Sequence, residues 1–407
     1  MRILCFAPQP FFQDRGTPIR FKAMVDALVA HGHQVDVLTF HEGEDVDIGG
    51  GRIFRIPALP GLSNIRPSFS LKKVICDLLM LVRAVPILVR TRYDVIHAVE
   101  ESAYLARLLK IVFRVPFVYD MHSSVAQQMV EKFPGLSRLS WALNAAERGL
   151  IKSSAGVVAV CRDVELYVRQ ARPDAHVVRL EDISFVGDTP AAPVAPLDVP
   201  GPVVMYVGNL EHYQGVGLLL EAFTRAVKQG APGTLVIVGG LPEDVLDYRR
   251  RAADSGIADR VRFLGQRPVT ELAGHLEQAD ILVSPRTHGV NTPMKIYNYL
   301  GSGRAVLATR LPTHTQVLDD SIACLVPPEP QAMAEGLMRL ITDAEMRGRL
   351  GAAARERALA EHTFEAFSRK LTAFYAHIDS AAPSKVQLEG AGTNLNSALV
   401  FASAIPW

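Results

Sequence analysis

Arg2-Ile3-Leu4-Cys5-Phe6-Ala7 is a short, largely apolar run; Phe21, Met24, Val25 and Leu28 follow, and then Gln34-Val35-Asp36-Val37-Leu38-Thr39-Phe40. The first and last runs read as strands. The residues between them keep the i, i+3, i+4, i+7 spacing of one helix face. His31-Gly32-His33 stops that helix before the second strand begins. The same pattern repeats downstream. Asp94–Ala98, Pro116–Asp120 and Ala155–Val160 read as strands, with amphipathic stretches near 101–113, 136–152 and 162–172 around them. Strands alternating with helices need crossover connections, so the expectation is an α/β fold with a mainly parallel sheet covered on both faces.

Between Gly187 and Pro202 the alternation stops, and Pro190, Pro193, Pro196, Pro200 and Pro202 are interleaved with small residues. Proline removes ladder donors and breaks helices, so 188–202 reads as a linker. The alternation then restarts. Val203–Val207, Thr234–Gly239, Val261–Leu264, Asp280–Ser284, Ala305–Ala308 and Ala323–Val326 are strand candidates, separated by helical patterns near 215–229, 242–255, 269–278, 293–302 and 329–342. Two doubly wound, Rossmann-like halves are expected, 1–187 and 203–360, with no obvious repeat between them. A length of 407 residues agrees, since a domain takes roughly 150. A charged, alanine-rich helical pattern runs from about 343 to 378, and 361–380 is expected to pack back on the first half. Residues 381–407 lose periodicity and read as a flexible tail, although Ala398–Trp407 is apolar.

Composition narrows the function classes. Hydrophobic residues make up 49% and charged residues 21%, enough for a large core. Lys and Arg number 43 against 42 Asp and Glu, so no global charge favours a nucleic-acid partner. Cys5, Cys76, Cys161 and Cys324 lie far apart, with neither redox nor zinc spacing. The first apolar run is too short for a signal peptide and ends at Pro8. No stretch reaches the ~18 apolar residues of a membrane helix; the nearest, Val74 to Val89, holds Asp77, Arg83 and Pro86. A cytoplasmic protein is expected. The chain lacks G-x-G-x-x-G after a strand, the P-loop, H-E-x-x-H and the G-x-S-x-G elbow. Asp45-Val46-Asp47 spells a D-x-D triplet in a polar loop and reads as a solvated acidic loop, not a metal site.

In open α/β sheets ligands bind beyond the carboxyl ends of the strands, so two such sheets make a cleft lined by post-strand loops. The richest loop follows Ser284: Pro285-Arg286-Thr287-His288-Gly289-Val290-Asn291-Thr292-Pro293-Met294-Lys295-Ile296-Tyr297-Asn298-Tyr299-Leu300-Gly301-Ser302-Gly303. Thr292 is placed to cap a short helix and Pro293 suits its first position. Free amides there favour an anion, above all a phosphate. Lys295 adds charge in the first turn. Asn298, one turn on, can hydrogen-bond a ribose. His212, His288 and His314 read as ordinary surface or core histidines.

Asn291–Gly303 resembles the donor-site motif of glycosyltransferase family 4, of GT-B architecture, in a branch reading roughly N-T-P-x-K-I-Y-x-Y-L-x-S-G. Similar matches are Arg15-Gly16-Thr17-Pro18-Ile19-Arg20, Ala27 to Val35, Val118-Tyr119-Asp120-Met121-His122-Ser123 and Tyr206-Val207-Gly208-Asn209-Leu210. The resemblance covers about residues 1–378. It implies two Rossmann-like domains facing each other across a cleft. It also implies transfer of a hexosyl group from a nucleotide diphosphate sugar to an acceptor hydroxyl, retaining and metal-independent, in polysaccharide or glycolipid synthesis. The nucleotide sugar is then a substrate and no cofactor is needed. On this reading His122 contacts the donor sugar or reacting centre, oriented by Asp120. Gly16 and Thr17, after the first strand, form either a loop over the sugar phosphate or a tight strand-to-helix turn; Gly208 lies against the donor, and Gln266 and Arg267 touch its base. Arg286, Asn291 and Thr292 complete the donor loop.

The chain departs from the family at the diphosphate clamp. The usual Arg and Lys positions hold neutral Asn209 and Gln214. The two glutamates of the E-x7-E motif fall on Val290 and Asn298. Lys295, Arg286 or Arg304 would have to supply the missing charge. The alternatives are a non-catalytic sugar-nucleotide-binding protein and a sugar-nucleotide epimerase of the same architecture. The acceptor, a glycan or a lipid-linked molecule, is expected on the first half. Leu71–Arg92 is apolar yet basic. It reads either as a helix packed on the sheet or as a peripheral contact, through 71–92, with the inner face of an anionic membrane.

Overall fold

The computed structural model describes residues 1–13, 16–63, 65, 70–186, 192–289 and 291–381. The N-terminal half runs β1 (Arg2–Ala7), α1 (Gly16–Ala30), β2 (Gln34–Thr39), β3 (Ile53–Arg55), α2 (Leu71–Arg90), β4 (Val95–Val99), α3 (Ser102–Phe113), β5 (Phe117–Met121), α4 (Val125–Lys132), α5 (Ser140–Ser153), β6 (Gly156–Ala159), α6 (Arg162–Ala171) and β7 (Val177–Arg179). Its seven strands are all parallel, in the order β3-β2-β1-β4-β5-β6-β7. The order reverses between β1 and β4; Ile3 of β1 pairs with Val35 of β2 on one side and Val95 of β4 on the other. Alternate residues of β1 face opposite layers, as a strand's period of two requires. Ile3, Cys5 and Ala7 pack with α1; Leu4 and Phe6 pack with α2, α3, α5 and α6.

The C-terminal half runs β8 (Val203–Val207), α7 (Val216–Lys228), β9 (Thr234–Val238), α8 (Pro242–Asp254), β10 (Val261–Gly265), α9 (Leu272–Glu277), β11 (Ile281–Ser284), α10 (Lys295–Ser302), β12 (Ala305–Thr309), α11 (Pro312–Thr315), β13 (Cys324–Val326), α12 (Pro330–Thr342), α13 (Ala344–Glu361) and α14 (Phe364–Ala381). Its six strands are ordered β10-β9-β8-β11-β12-β13, with the reversal between β8 and β11. Helices α7, α8 and α12 cover one face, and α9, α10 and α13 the other.

Several elements differ from the sequence reading. The edge strands β3 and β7 are three residues each, too short to carry a period. Helix α4 starts where Ser124 accepts the Gln127 N–H at 3.1 Å, a local cap outside the apolar pattern. Leu71–Arg90 is a helix packed on the sheet through Cys76, Met80, Ala84, Ile87 and Leu88. The pattern from 343 to 378 is two helices, broken at His362 and Thr363; Asp343 caps α13 by accepting the Met346 N–H at 2.7 Å. Helix α14 returns to the first half, where Phe367, Leu371, Phe374, Tyr375 and Ile378 join the cluster of Ile3, Cys5, Val95 and Val158. The D-x-D loop is used locally: Asp45 pairs with Arg55 at 2.8 Å, and Asp47 accepts the Gly49 N–H at 2.9 Å. The tail beyond Ala381, the linker residues 187–191, and Arg15 and Val290 lie outside the described residues.

The chain passes between the halves along two adjacent segments. Ser184 donates its N–H to the His362 carbonyl at 2.9 Å, and a Cβ on Gly301 would strike Ser184 Oγ at 2.1 Å. Among the described residues no helix is long and apolar enough to cross a membrane.

Candidate active site

Both strand-order reversals carry the predicted residues. In the C-terminal half β8 is followed by Gly208, whose φ is +148°. A Cβ there would lie 2.6 Å from Lys295 Nζ, so the glycine leaves room for the ammonium beneath the loop. Lys295 is half-buried at the start of α10. Its Nζ donates to Gln214 Oε1 at 3.2 Å and sits 4.0 Å from the centre of the Tyr206 ring. Desolvation pushes this ammonium well below the ordinary lysine range, and the Arg286 guanidinium pushes it further. Among the described residues no carboxylate pairs with it.

The loops after β8 and β11 are sewn together. Thr287 donates its N–H to the Tyr213 carbonyl at 3.0 Å, and Gly215, at φ +74°, packs so tightly that a Cβ would lie 1.8 Å from Pro285 O. Arg286 donates through Nη1 to Asn291 O (2.7 Å) and Thr313 Oγ1 (2.8 Å), and its guanidinium lies 5.0 Å from the Tyr213 ring centre. Arg286 Nε and Asn291 Oδ1 are buried with no partner among the described residues. Two half-buried cations and unpartnered polar atoms therefore surround one loop.

The start of α10 needs correction. Thr292 is buried but does not cap α10, and Pro293 is not its first residue. The Ile296 N–H reaches the Pro293 carbonyl at 2.9 Å, so a tight turn precedes the helix and Met294 stands at its uncapped start. The leading amides are still free of side-chain caps, which suits an anion. Asn298 is buried and its Oδ1 accepts the Phe185 N–H at 2.8 Å. That bond pins the crossing segment to α10. Arg304 turns to the Glu277 carbonyl and does not join Lys295. Asn209, Gln266 and Arg267 are exposed on the loops after β8 and β10, whereas Gln214 is buried. His314 is a core histidine between Ser284 Oγ (2.8 Å) and the Thr309 carbonyl (2.8 Å); burial pushes it down to about 4.

In the N-terminal half Gly16 and Thr17 open α1, and a Cβ on Gly16 would lie 3.9 Å from Met294 Cε, so the starts of α1 and α10 face each other. Beside them, at the end of β5, Asp120 Oδ1 lies 3.4 Å from His122 Nε2. Asp120 is buried: burial alone would raise its carboxyl, but His122, His97 and Arg20 hold it well below the carboxylate range. Burial likewise opposes charge on His122, and the Asp120 carboxylate outweighs it, raising the imidazole above its ordinary value. Arg20 donates to Asp182 Oδ1 at 3.0 Å and lies 3.8 Å from Asp120 Oδ1.

The matched families cover both halves. Residues 15–181 match the model described as glycosyl transferase 4-like domain, and residues 201–343 the model described as glycosyl transferases group 1. The chain is a GT-B glycosyltransferase of the family 4 type. It is 26% identical over 405 residues to the phosphatidyl-myo-inositol mannosyltransferase of Mycolicibacterium smegmatis, covering 96% of this chain and 97% of that one. Sucrose-phosphate synthase from Thermosynechococcus elongatus superposes with a TM-score of 0.75 at 21% identity, covering 93% of this chain and 99% of that one. HepE from Anabaena, solved in complex with UDP, superposes with a TM-score of 0.70 at 16% identity over 93% and 100% of the two chains.

In this glycosyltransferase the polar centre of the first half was largely hidden in the sequence. Arg20 lay in plain view as a charge beside the apolar helix face of Phe21 and Met24, yet periodicity alone gives it to solvent. His97 sits inside a strand, and Asp182 and Tyr375 are remote from it in the chain; only folding brings them to Asp120.

Proposed function

We propose that this glycosyltransferase transfers a hexosyl group from a nucleotide diphosphate sugar to an acceptor hydroxyl, with retention and without a metal, and that it belongs to the branch with the N-T-P-x-K-I-Y-x-Y-L motif. Lys295 carries this reading. A half-buried ammonium held by an amide and an aromatic face is costly until an anion joins it. Its Nζ contacts Gln214, which stands where the family usually has the clamping lysine. The cation is thus supplied from α10 instead of the loop after β8. With Arg286 beside it, the site suits the diphosphate of the donor, and the UDP bound by HepE supports a nucleoside diphosphate in this architecture.

The reaction leaves charge on the departing diphosphate and on an oxocarbenium-like sugar. Lys295, Arg286 and the uncapped amides of α10 are in position before the bond breaks, so they stabilise the leaving group without reorganising. That charge makes a metal unnecessary for the step. His122 meets the sugar, with the Asp120 carboxylate beside its ring. Gly16 and Thr17 cover the sugar phosphate and the loop of Gln266 and Arg267 meets the base. Closure of the halves excludes water and favours transfer over hydrolysis.

The acceptor is a glycolipid or growing polysaccharide approached at the inner face of a membrane. Helix α2 leaves Leu71, Val74, Leu78, Val82, Val85 and Val89 exposed in one stripe, flanked by Lys72, Arg83 and Arg90. Such a face lies well in an anionic interface, and the lipid in the name of the mycobacterial relative supports it. The test is a thermal-shift screen of UDP-, GDP- and ADP-sugars, followed by product analysis with acceptor extract. Stabilisation by one series and a product of retained anomeric configuration are expected. Absence of any stabilisation, or an inverted product, would refute the reading.

A further inference from the structure

Helix α14 lies beyond both matched regions, yet it touches the polar centre of the N-terminal half at two points. The Tyr375 hydroxyl is 2.7 Å from His97 Nδ1, and the Phe367 ring lies 5.8 Å from the Arg20 guanidinium. Phe367, Leu371 and Tyr375 are spaced i, i+4, i+8 and share one face of the helix.

From Tyr375 a line of polar groups continues to His122, its last step a charge contact and not a hydrogen bond. His97 Nε2 is 3.2 Å from Asp120 Oδ2, and Asp120 Oδ1 is 3.4 Å from His122 Nε2. Tyr375 and His97 are fully buried, and Asp120 is 3% exposed. An ionised carboxylate only accepts, so His97 Nε2 carries hydrogen. In the neutral ring Nδ1 is then an acceptor, and the phenol is the donor that meets it. Burial keeps the proton on Tyr375. Asp120 thus has one oxygen spoken for by His97, and the other is left to His122 and Arg20.

We propose that Tyr375 is a positioning residue for His122: through His97 it fixes the Asp120 carboxylate, and so sets both the orientation and the titration of the His122 ring. The proposal rests on the reading that His122 meets the donor sugar. A helix added after the second domain is thereby part of the support for a histidine on the first.

The charges around His122 fit this role. Asp120 and Asp182 oppose the single guanidinium of Arg20, so a proton on His122 balances the cluster. Glu100, at the end of β4, adds attraction at the mouth. Behind Asp120 lie Cys5 of β1 and His97 of β4, and Tyr297 of α10 faces Asp182 and Arg20 from the other half.

The experiment is a nitrogen- and carbon-detected NMR titration of the full chain with labelled histidine, in wild type, Tyr375→Phe and Leu371→Ala. Loss of a resonance in His122→Gln or His97→Gln assigns each ring. In wild type His97 should be the Nε2–H tautomer; an Nδ1–H ring overturns the proposal with no variant needed. In Tyr375→Phe the aromatic packing is kept, and Asp120, no longer shared firmly with His97, lends more charge to His122. Its midpoint should rise by roughly half a pH unit or more. Leu371→Ala loosens α14 without touching the relay and should leave the midpoint alone. An unmoved midpoint in Tyr375→Phe, or an equal shift in Leu371→Ala, overturns the proposal. Undiminished turnover of donor by His122→Gln would refute the functional reading of His122 instead, and leave the relay to be judged by the titration.

Discussion

Lys295 pairs with an amide and, among the described residues, with no carboxylate, so its charge should act on ligand and protein in opposite directions. Lys295→Met removes a charge-assisted contact to the diphosphate, and nucleoside diphosphate affinity should fall roughly 10- to 100-fold. The unliganded variant should melt at the same temperature or higher, since a desolvated charge is gone. Calorimetric titration and a melting curve measure the two effects. Because the ammonium sits well below the usual lysine range, wild-type affinity should weaken as pH rises above neutrality, and Lys295→Met should flatten that dependence. His314 makes a pH prediction about stability. It stays neutral in the native state down to about 4, while an unfolded histidine protonates near ~6.5. Between those values the unfolded state binds more protons, so the stability is present above ~6.5 and is lost as pH falls toward 4. Denaturant unfolding across that window should show the slope, and His314→Gln should reduce it.

Among the elements, α2 has one buried and one exposed apolar face. Cys76, Met80, Ala84, Ile87 and Leu88 hold it to the sheet, and the stripe of Leu78 and Val82 does not contribute to that core. Replacing both Leu78 and Val82 with Asp should leave melting nearly unchanged and abolish co-flotation with anionic liposomes. Persistent flotation would remove α2 as the contact. Helix α10 shows a different lesson. Its motif was legible by residue type, and Lys295 stands in the first turn of the helix, as the spacing predicts. The cap was not legible, because Pro293 closes a tight turn through its carbonyl and displaces the helix start to Lys295. The sequence gives no sign that Asn298 also accepts the Phe185 N–H of the crossing segment.

For the whole molecule, α14 is the strap that returns the chain to the first half. Leu371 is fully buried against that half. Leu371→Ala should cost about 2–5 kcal/mol and should lower the melting of the N-terminal half more than that of the C-terminal half, as resolved by calorimetry or hydrogen exchange. Equal effects on both would mean the halves unfold as one unit.

Strand and helix periods, the proline-rich break and the Gly-bounded loops are local patterns, so the order of the layers, the two parallel sheets and the loop bearing Lys295 followed from the sequence alone. Side-chain partners across the chain are not local. That Gln214 receives Lys295, that Asn298 receives Phe185, and that Tyr375 reaches His97 across 278 positions depended on packing. Burial supplies the physical reason: once water is excluded, each polar group must bond to whatever the fold brings beside it, however far away in the chain that group lies.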